Sequence, residues 1–119
     1  MTIIHPLTEQ IEFFDFLKVD VRVGIILSAK LNPKAKLPAY EIDVDFGATL
    51  GVKKSSAQLT ENYTAEELIG KQICAVVNFP PRRVAGVKSE VLILAIVCND
   101  NGTVLIQPNI PVTNGERLA

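Results

Sequence analysis

Cations crowd one stretch of this chain, Asn78-Phe79-Pro80-Pro81-Arg82-Arg83-Val84-Ala85-Gly86-Val87-Lys88-Ser89-Glu90. Proline fixes φ and glycine accepts unusual φ, so Arg82, Arg83 and Lys88 travel on a restricted path rather than a floppy one. The chemistry open to such a loop is neutralisation of phosphate. The planar fork of arginine suits that task better than the point charge of lysine. Further cations stand at Lys34 and Lys36 and at Lys53 and Lys54. The last two also read as ordinary solvated lysines. Tyr40 and Phe79 could stack on bases, and both equally fit a buried alternation.

Nothing beside these cations suggests catalysis. The chain has no glycine-rich phosphate loop, no histidine-based triad and no cysteine next to a histidine. His5, the only histidine, reads as a surface residue near the N-terminus. Cys74 and Cys98 fall in apolar, strand-like sequence and read as reduced core thiols, with no second pair to make a metal site. Glu41, Asp43 and Asp45 recur at every second residue, which puts them on the wet side of one strand as a charged face rather than a metal centre. That face should keep phosphate away from the middle of the strand. No catalytic residue, metal or cofactor is expected, and no enzyme activity.

The formal net charge is −1, so bulk charge favours no class of partner. Its distribution is more telling. Between Asp20 and Glu41 every charge is positive, and between Glu67 and Glu90 the charges are Lys71, Arg82, Arg83 and Lys88. Acids gather elsewhere. Hydrophobic residues make up 48% of the chain, a high share for so small a body, which points to apolar surface buried against a second subunit. No apolar run reaches the ~18–20 residues needed to span a bilayer. Met1 to Pro6 lacks the basic region and cleavage site of a signal peptide, so a cytoplasmic location is expected.

The elements that must position the cations follow from periodicity. Leu17-Val19-Val21-Val23-Ile25 alternates with polar residues and continues to Leu31, predicting a long first strand that bends at Gly24. Tyr40-Ile42-Val44-Phe46 predicts a second, and Val52 to Leu59 a less regular third whose faces stay unassigned. Thr64-Ala65-Glu66-Glu67 is a capping box for a short helix that Gly70 ends. Ile73 to Phe79 and Val91 to Val97 predict strands four and five, apolar on both faces, and Thr103 to Ile106 an extra strand. Thr8 to Phe14 reads as an N-terminal helix capped by Thr8.

This order predicts an all-β OB-fold: a five-stranded Greek-key barrel with a short helix between strands three and four, plus an N-terminal helix and a C-terminal extension. One domain over residues 1–119 is expected, with a helical extension over about 1–16. In this fold the loop after strand one and the loop between strands four and five flank the ligand groove, so Lys34 and Lys36 should approach Arg82 and Arg83. One short helix leaves little to put over the outer face of strands four and five, so the N-terminal helix, the C-terminal tail or a second subunit must cover it, and a homodimer built on that face is the expected solution.

The segment Phe16-Leu17-Lys18-Val19-Asp20-Val21-Arg22-Val23-Gly24 resembles the opening of the tRNA-binding OB domain appended to methionyl- and tyrosyl-tRNA synthetases. Asn32-Pro33-Lys34-Ala35-Lys36-Leu37 is similar to that family's following loop. Asn78, Pro81, Arg83, Gly86, Val87, Ser89 and Glu90 match its later signature. Within the family, Lys53-Lys54-Ser55-Ser56-Ala57-Gln58 and Asn78 through Gly86 look like the free-standing CsaA branch, described as homodimeric export chaperones. The resemblance implies tRNA as a partner, with Lys34, Lys36, Lys53, Asn78, Arg82, Arg83, Ser89 and Glu90 as candidate RNA-binding residues. Lysines and arginines would meet phosphates, Asn78 and Ser89 sugar or base edges, and Glu90 would accept from loop amides or orient Arg83. The branch further implies binding of unfolded precursor proteins and of the secretion motor.

Overall fold

The computed structural model of the protein describes residues 5–119, so the first four residues of the expected N-terminal extension lie outside it. A five-stranded antiparallel sheet curls into a nearly closed barrel with strand order β3-β2-β1-β4-β7. Its members are β1 (Val21–Leu31), β2 (Tyr40–Asp45), β3 (Val52–Ala57), β4 (Gln72–Val76) and β7 (Leu92–Ile93). Helix α1 (Phe13–Leu17) precedes them, and α2 (Ala65–Leu68) lies between β3 and β4. Between β4 and β7 stands a hairpin of β5 (Arg82–Val84) and β6 (Val87–Ser89). A second hairpin, β8 (Ala95–Cys98) with β9 (Gly102–Leu105), follows β7. The fold is the all-β, OB-like barrel that the element order predicts.

The long first strand serves two partners. Its first half pairs with β4, from Val21↔Val76 to Ile25↔Gln72, and its second half with β2, from Ile25↔Asp45 to Leu31↔Tyr40. The bend expected at Gly24 is instead a register shift between Ile26 and Ser28, where one extra residue raises the local twist. Gly24 does different work. A β-carbon there would stand 2.6 Å from Val44 Cγ1 and 2.8 Å from Phe46 Cδ1, so glycine lets Val44 of β2 and the Phe46 that follows it cross close over β1.

Ile26, Ile42, Val44, Phe46, Leu59, Leu68 and Ile73 fill the barrel. Helix α2 closes one end and begins where the capping box predicts: Thr64 Oγ1 accepts from Glu67 N at 3.2 Å and Glu67 Oε1 accepts from Thr64 N at 3.0 Å. Helix α1 starts later than expected. Its reciprocal cap forms at Glu12 and Asp15, with Glu12 N donating to Asp15 Oδ2 at 2.9 Å, and residues around Thr8 are not helical.

Strand five is also shorter than its alternation suggests. At Leu94 the backbone changes partners: Leu94 N donates to Cys74 O, while Leu94 O accepts from Ile106 N at 3.2 Å. The chain then leaves the barrel as β8. Cys98, at the end of that hairpin, is half-buried rather than a core thiol, whereas Cys74 is buried; burial pushes the Cys74 thiol up from its ordinary range. The outer face of β4 is not bare, because Val21, Val23, Cys74 and Val76 form a second buried cluster with Leu94 against it. The tail straps onto β1, Gly115 N donating to Val23 O at 2.7 Å and Leu118 N to Val21 O at 2.9 Å. Exposed apolar surface persists nearby at Leu92, Ile96 and Val97.

Candidate nucleic-acid interface

The cationic loop is a β-hairpin. Arg82 faces Ser89 and Arg83 faces Lys88, and the two-residue turn at Ala85 and Gly86 has φ of 47° and 85°. Positive φ at both positions gives the turn that matches the twist of hairpin strands. Gly86 meets that demand without cost, and Ala85 is held in the left-handed region by its surroundings. Arg83 Nη1 donates to Gly86 O at 3.3 Å, across the turn. Arg82, Arg83 and Lys88 are all exposed.

The loop after β1 reaches this hairpin, as the barrel connectivity predicts. Asn32 Nδ2 donates to Ala85 O at 3.1 Å, and Asn32 Oδ1 accepts from Lys34 N at 3.1 Å. Lys34 lies over the turn: a β-carbon at Gly86 would stand 3.3 Å from Lys34 Cδ and 3.6 Å from its Nζ. Lys34, Arg82, Arg83 and Lys88 therefore belong to one cationic end of the molecule. Asn32 is the residue that sequence reasoning passed over. Its signal was an Asn before Pro, a pair that favours side-chain-bonded turns. Lys36 is exposed on the same loop.

Lys53 and Lys54, adjacent in sequence, part company in space. Lys53 registers against buried Val44 and Lys54 against Asp43, so they sit on opposite faces of β3. Lys54 Nζ contacts Asp43 at 3.0 Å and Glu41 at 3.2 Å, and Lys30 Nζ contacts Glu41 at 3.3 Å. The Lys54 ammonium holds Glu41 below the usual carboxylate range. Burial pushes Asp43 up, but hydrogen bonds from Lys54 and Ser28 outweigh it and leave Asp43 low as well. Asp45 accepts from Gly47 N at 2.9 Å. The acidic face expected to repel phosphate is thus largely neutralised from within.

Three of the candidate contact residues serve the scaffold. Asn78 Oδ1 accepts from Asp20 N at 3.0 Å and its Nδ2 donates to Lys18 O at 2.7 Å, which fixes the chain entering β1 to the chain leaving β4. Ser89 Oγ accepts from Ser56 N at 3.2 Å and donates to Val91 O at 3.3 Å. Glu90 Oε1 accepts from Lys54 N at 3.1 Å, and Arg83 turns to Gly86 instead of Glu90. Ser89 and Glu90 close the barrel by tying the hairpin to the edge of β3. Tyr40 is core, its hydroxyl donating to Tyr63 O at 2.7 Å, whereas Phe79 is 50% exposed.

Among the described residues no group of three or more His, Cys, Asp or Glu is placed to hold a metal, and no helix is long and apolar enough to cross a membrane. The model of the tRNA binding domain family matches residues 21–117. A methionine–tRNA ligase of Porphyromonas gingivalis is 39% identical over 114 residues, covering 95% of this chain and 16% of the ligase. The chain thus spans about a sixth of the length of that curated relative. A crystal structure of the chaperone CsaA from Bacillus anthracis superposes with a TM-score of 0.87 at 49% identity, covering 93% of this chain and all of that one. The CsaA chaperone of Picrophilus torridus gives the same TM-score at 44% identity, covering 92% and 100%. A MetRS-related protein of Pyrococcus horikoshii gives 0.82 at 26%, covering 94% and 100%.

Proposed function

The chain belongs to the tRNA binding domain family, and on that premise we propose that it is a non-catalytic, cytoplasmic, homodimeric tRNA-binding protein of the CsaA type. One observation carries the reading. The Asn32–Ala85 hydrogen bond brings Lys34 to the Arg82–Lys88 hairpin, so cations from two distant segments form a single phosphate-facing end. A folded RNA presents phosphates along a rigid backbone, and a rigid set of cations is suited to its shape. Lys36 and Lys53 extend this surface in the proposal, while Asn78, Ser89 and Glu90 hold its parts in place.

The test is titration of the protein against unfractionated tRNA at low and near-physiological salt. Each neutralised phosphate releases counterions, so affinity should fall steeply with salt. Arg82→Ala with Arg83→Ala should weaken binding and flatten that dependence. Unchanged affinity and slope in the double variant would refute the site.

A second reading has its own observation. A groove of about 520 Å³, with Leu37, Pro38, Leu92, Leu94 and Val97 in its walls, runs between the end of β3 and the β7–β8 segment. With the likeness to CsaA chaperones, it supports binding of unfolded precursor proteins, and of the secretion motor, in service of export. Extended polypeptide in that groove would bind with weak salt dependence. A chemically unfolded protein would then compete with apolar peptides and leave tRNA bound.

A further inference from the structure

We propose that the cleft beside the cationic hairpin is a pocket for a single unstacked RNA base, with Phe79 as its stacking platform. The proposal rests on the RNA-binding reading above and deepens it. The cleft holds about 260 Å³, with Phe79, Pro80, Val84 and Leu92 as apolar wall and Arg82 and Gln58 among its polar groups. That volume is below the range typical of pockets for drug-sized ligands and suits one flat ring system. Arg82 belongs both to the cleft and to the hairpin, so a base entering here would leave its phosphates beside Arg82, Arg83 and Lys88.

Phe79 is unusually well prepared for this use. It is 50% exposed, and the ring pair described in the protein, Phe13 with Phe16, does not include it. Its neighbours are immobilised: Asn78 is held at both ends of its amide, and Pro80-Pro81 restrict the chain beyond. A ring fixed by its backbone loses little freedom when a base stacks on it. The polar groups also fit a heterocycle. Gln58 is exposed and offers a donor and an acceptor to a base edge, and Arg82 can bond an edge or a phosphate. Glu90, the acid of the cleft, already accepts from Lys54 N.

The experiment separates stacking from charge. The probes are a short oligouridylate and an oligomer of equal length and charge whose sugars carry no base, with unfractionated tRNA in a parallel titration. The wild-type protein should prefer oligouridylate by about fivefold or more, the range of one stacked base. Phe79→Ala and Phe79→Leu should abolish that preference without altering the salt slope, and Phe79→Tyr should keep it. The half-exposed site leaves the barrel core intact in these variants, which a melting curve checks. Equal binding of the two oligomers by a wild-type protein that binds tRNA overturns the pocket and leaves the RNA reading standing. Absence of tRNA binding at low salt overturns both. Should Phe79→Leu weaken binding of a chemically unfolded protein while RNA binding is unmoved, the cleft belongs to polypeptide, which also overturns the proposal.

Discussion

Glu90 and Lys54 are joined twice, and neither bond uses the lysine charge. Glu90 N donates to Lys54 O at 2.8 Å, and Glu90 Oε1 accepts from Lys54 N at 3.1 Å. The ammonium turns away to Asp43 and Glu41. One residue of β3 therefore fastens the cationic hairpin on one side and neutralises the acidic strand on the other. The Glu90 carboxylate at the base of the cationic hairpin thus has a structural task, accepting from a backbone amide of β3.

Glu90→Ala should then act as a positioning change. Loss of the acceptor leaves Lys54 N without its partner and should cost about 1 kcal/mol of stability, the scale of one protein hydrogen bond. It should also speed amide exchange at Lys54 and loosen the hairpin. Glu90→Gln keeps an acceptor oxygen and should restore both stability and exchange protection. If alanine and glutamine behave alike in urea melts and in exchange, the carboxylate does not hold the hairpin.

The two halves of the basic surface should separate by salt dependence. Lys34 lies over the hairpin turn, so Lys34→Ala should lower the salt slope of tRNA binding by about one phosphate equivalent. Lys54→Met should leave the slope unchanged, since that charge is engaged by Asp43 and Glu41. A larger loss of slope from Lys54→Met than from Lys34→Ala would put the phosphate-facing surface on the strand face and not at the hairpin.

Acid should weaken the Lys54 network in a defined direction. Glu41 and Asp43 are held below their ordinary values, so their stabilisation is present above the unfolded carboxylate range, about pH 4, and is lost as pH falls through the folded values. Lys54 is held above its ordinary value by Asp43 and then Glu41, so its stabilisation is present below about pH 10 and is lost as pH rises through the folded value. The window therefore runs from roughly pH 5 to 10. These groups are partly exposed, which limits the effect to about 1 kcal/mol. The urea midpoints of wild type and Lys54→Met should differ at pH 7 and converge as the pH falls through the folded values of Glu41 and Asp43. A difference that stays constant would assign the Lys54 effect to packing of its stem.

The barrel was legible because period-two alternation and the Thr64 capping box are local signals, and local signals survive without tertiary knowledge. The misplaced features are non-local. Leu94 continues the alternation of strand five, yet its carbonyl is taken by Ile106 and the chain turns out of the barrel. Gly24 looked like a bend, but it is a gap left for Val44 of β2 and for Phe46 just beyond that strand. The candidate site divides the same way. Arg82, Arg83 and Lys34 were visible as charges, while the scaffold duties of Asn78, Ser89 and Glu90 depend on partners at sequence distances of 33 to 60 residues. Residue type showed that these groups bond, and only the fold shows to what.

The N-terminal arm supplies the last prediction. Helix α1 buries none of its residues, and Phe13 and Phe14 are 71% and 75% exposed, with Ile11 at 72% beside them. Two adjacent phenylalanines in water are costly, since burying such a ring fully is worth about 1.5–3 kcal/mol. Within one chain both rings stay largely exposed, while Leu92 of β7 and Ile96 and Val97 of β8 leave apolar surface open as well. A symmetric pair of subunits would bury arm and face together, each chain giving both. Phe13→Ser with Phe14→Ser should therefore weaken a homodimer by about four orders of magnitude, taking the lower figure for each of the four rings in the pair. The barrel's own urea midpoint at high dilution should stay where it was. Light scattering across a micromolar concentration series reads the first effect. A wild-type mass of one chain throughout that series would sink the dimer, and an unchanged dimer in the double variant would move its interface away from the arm.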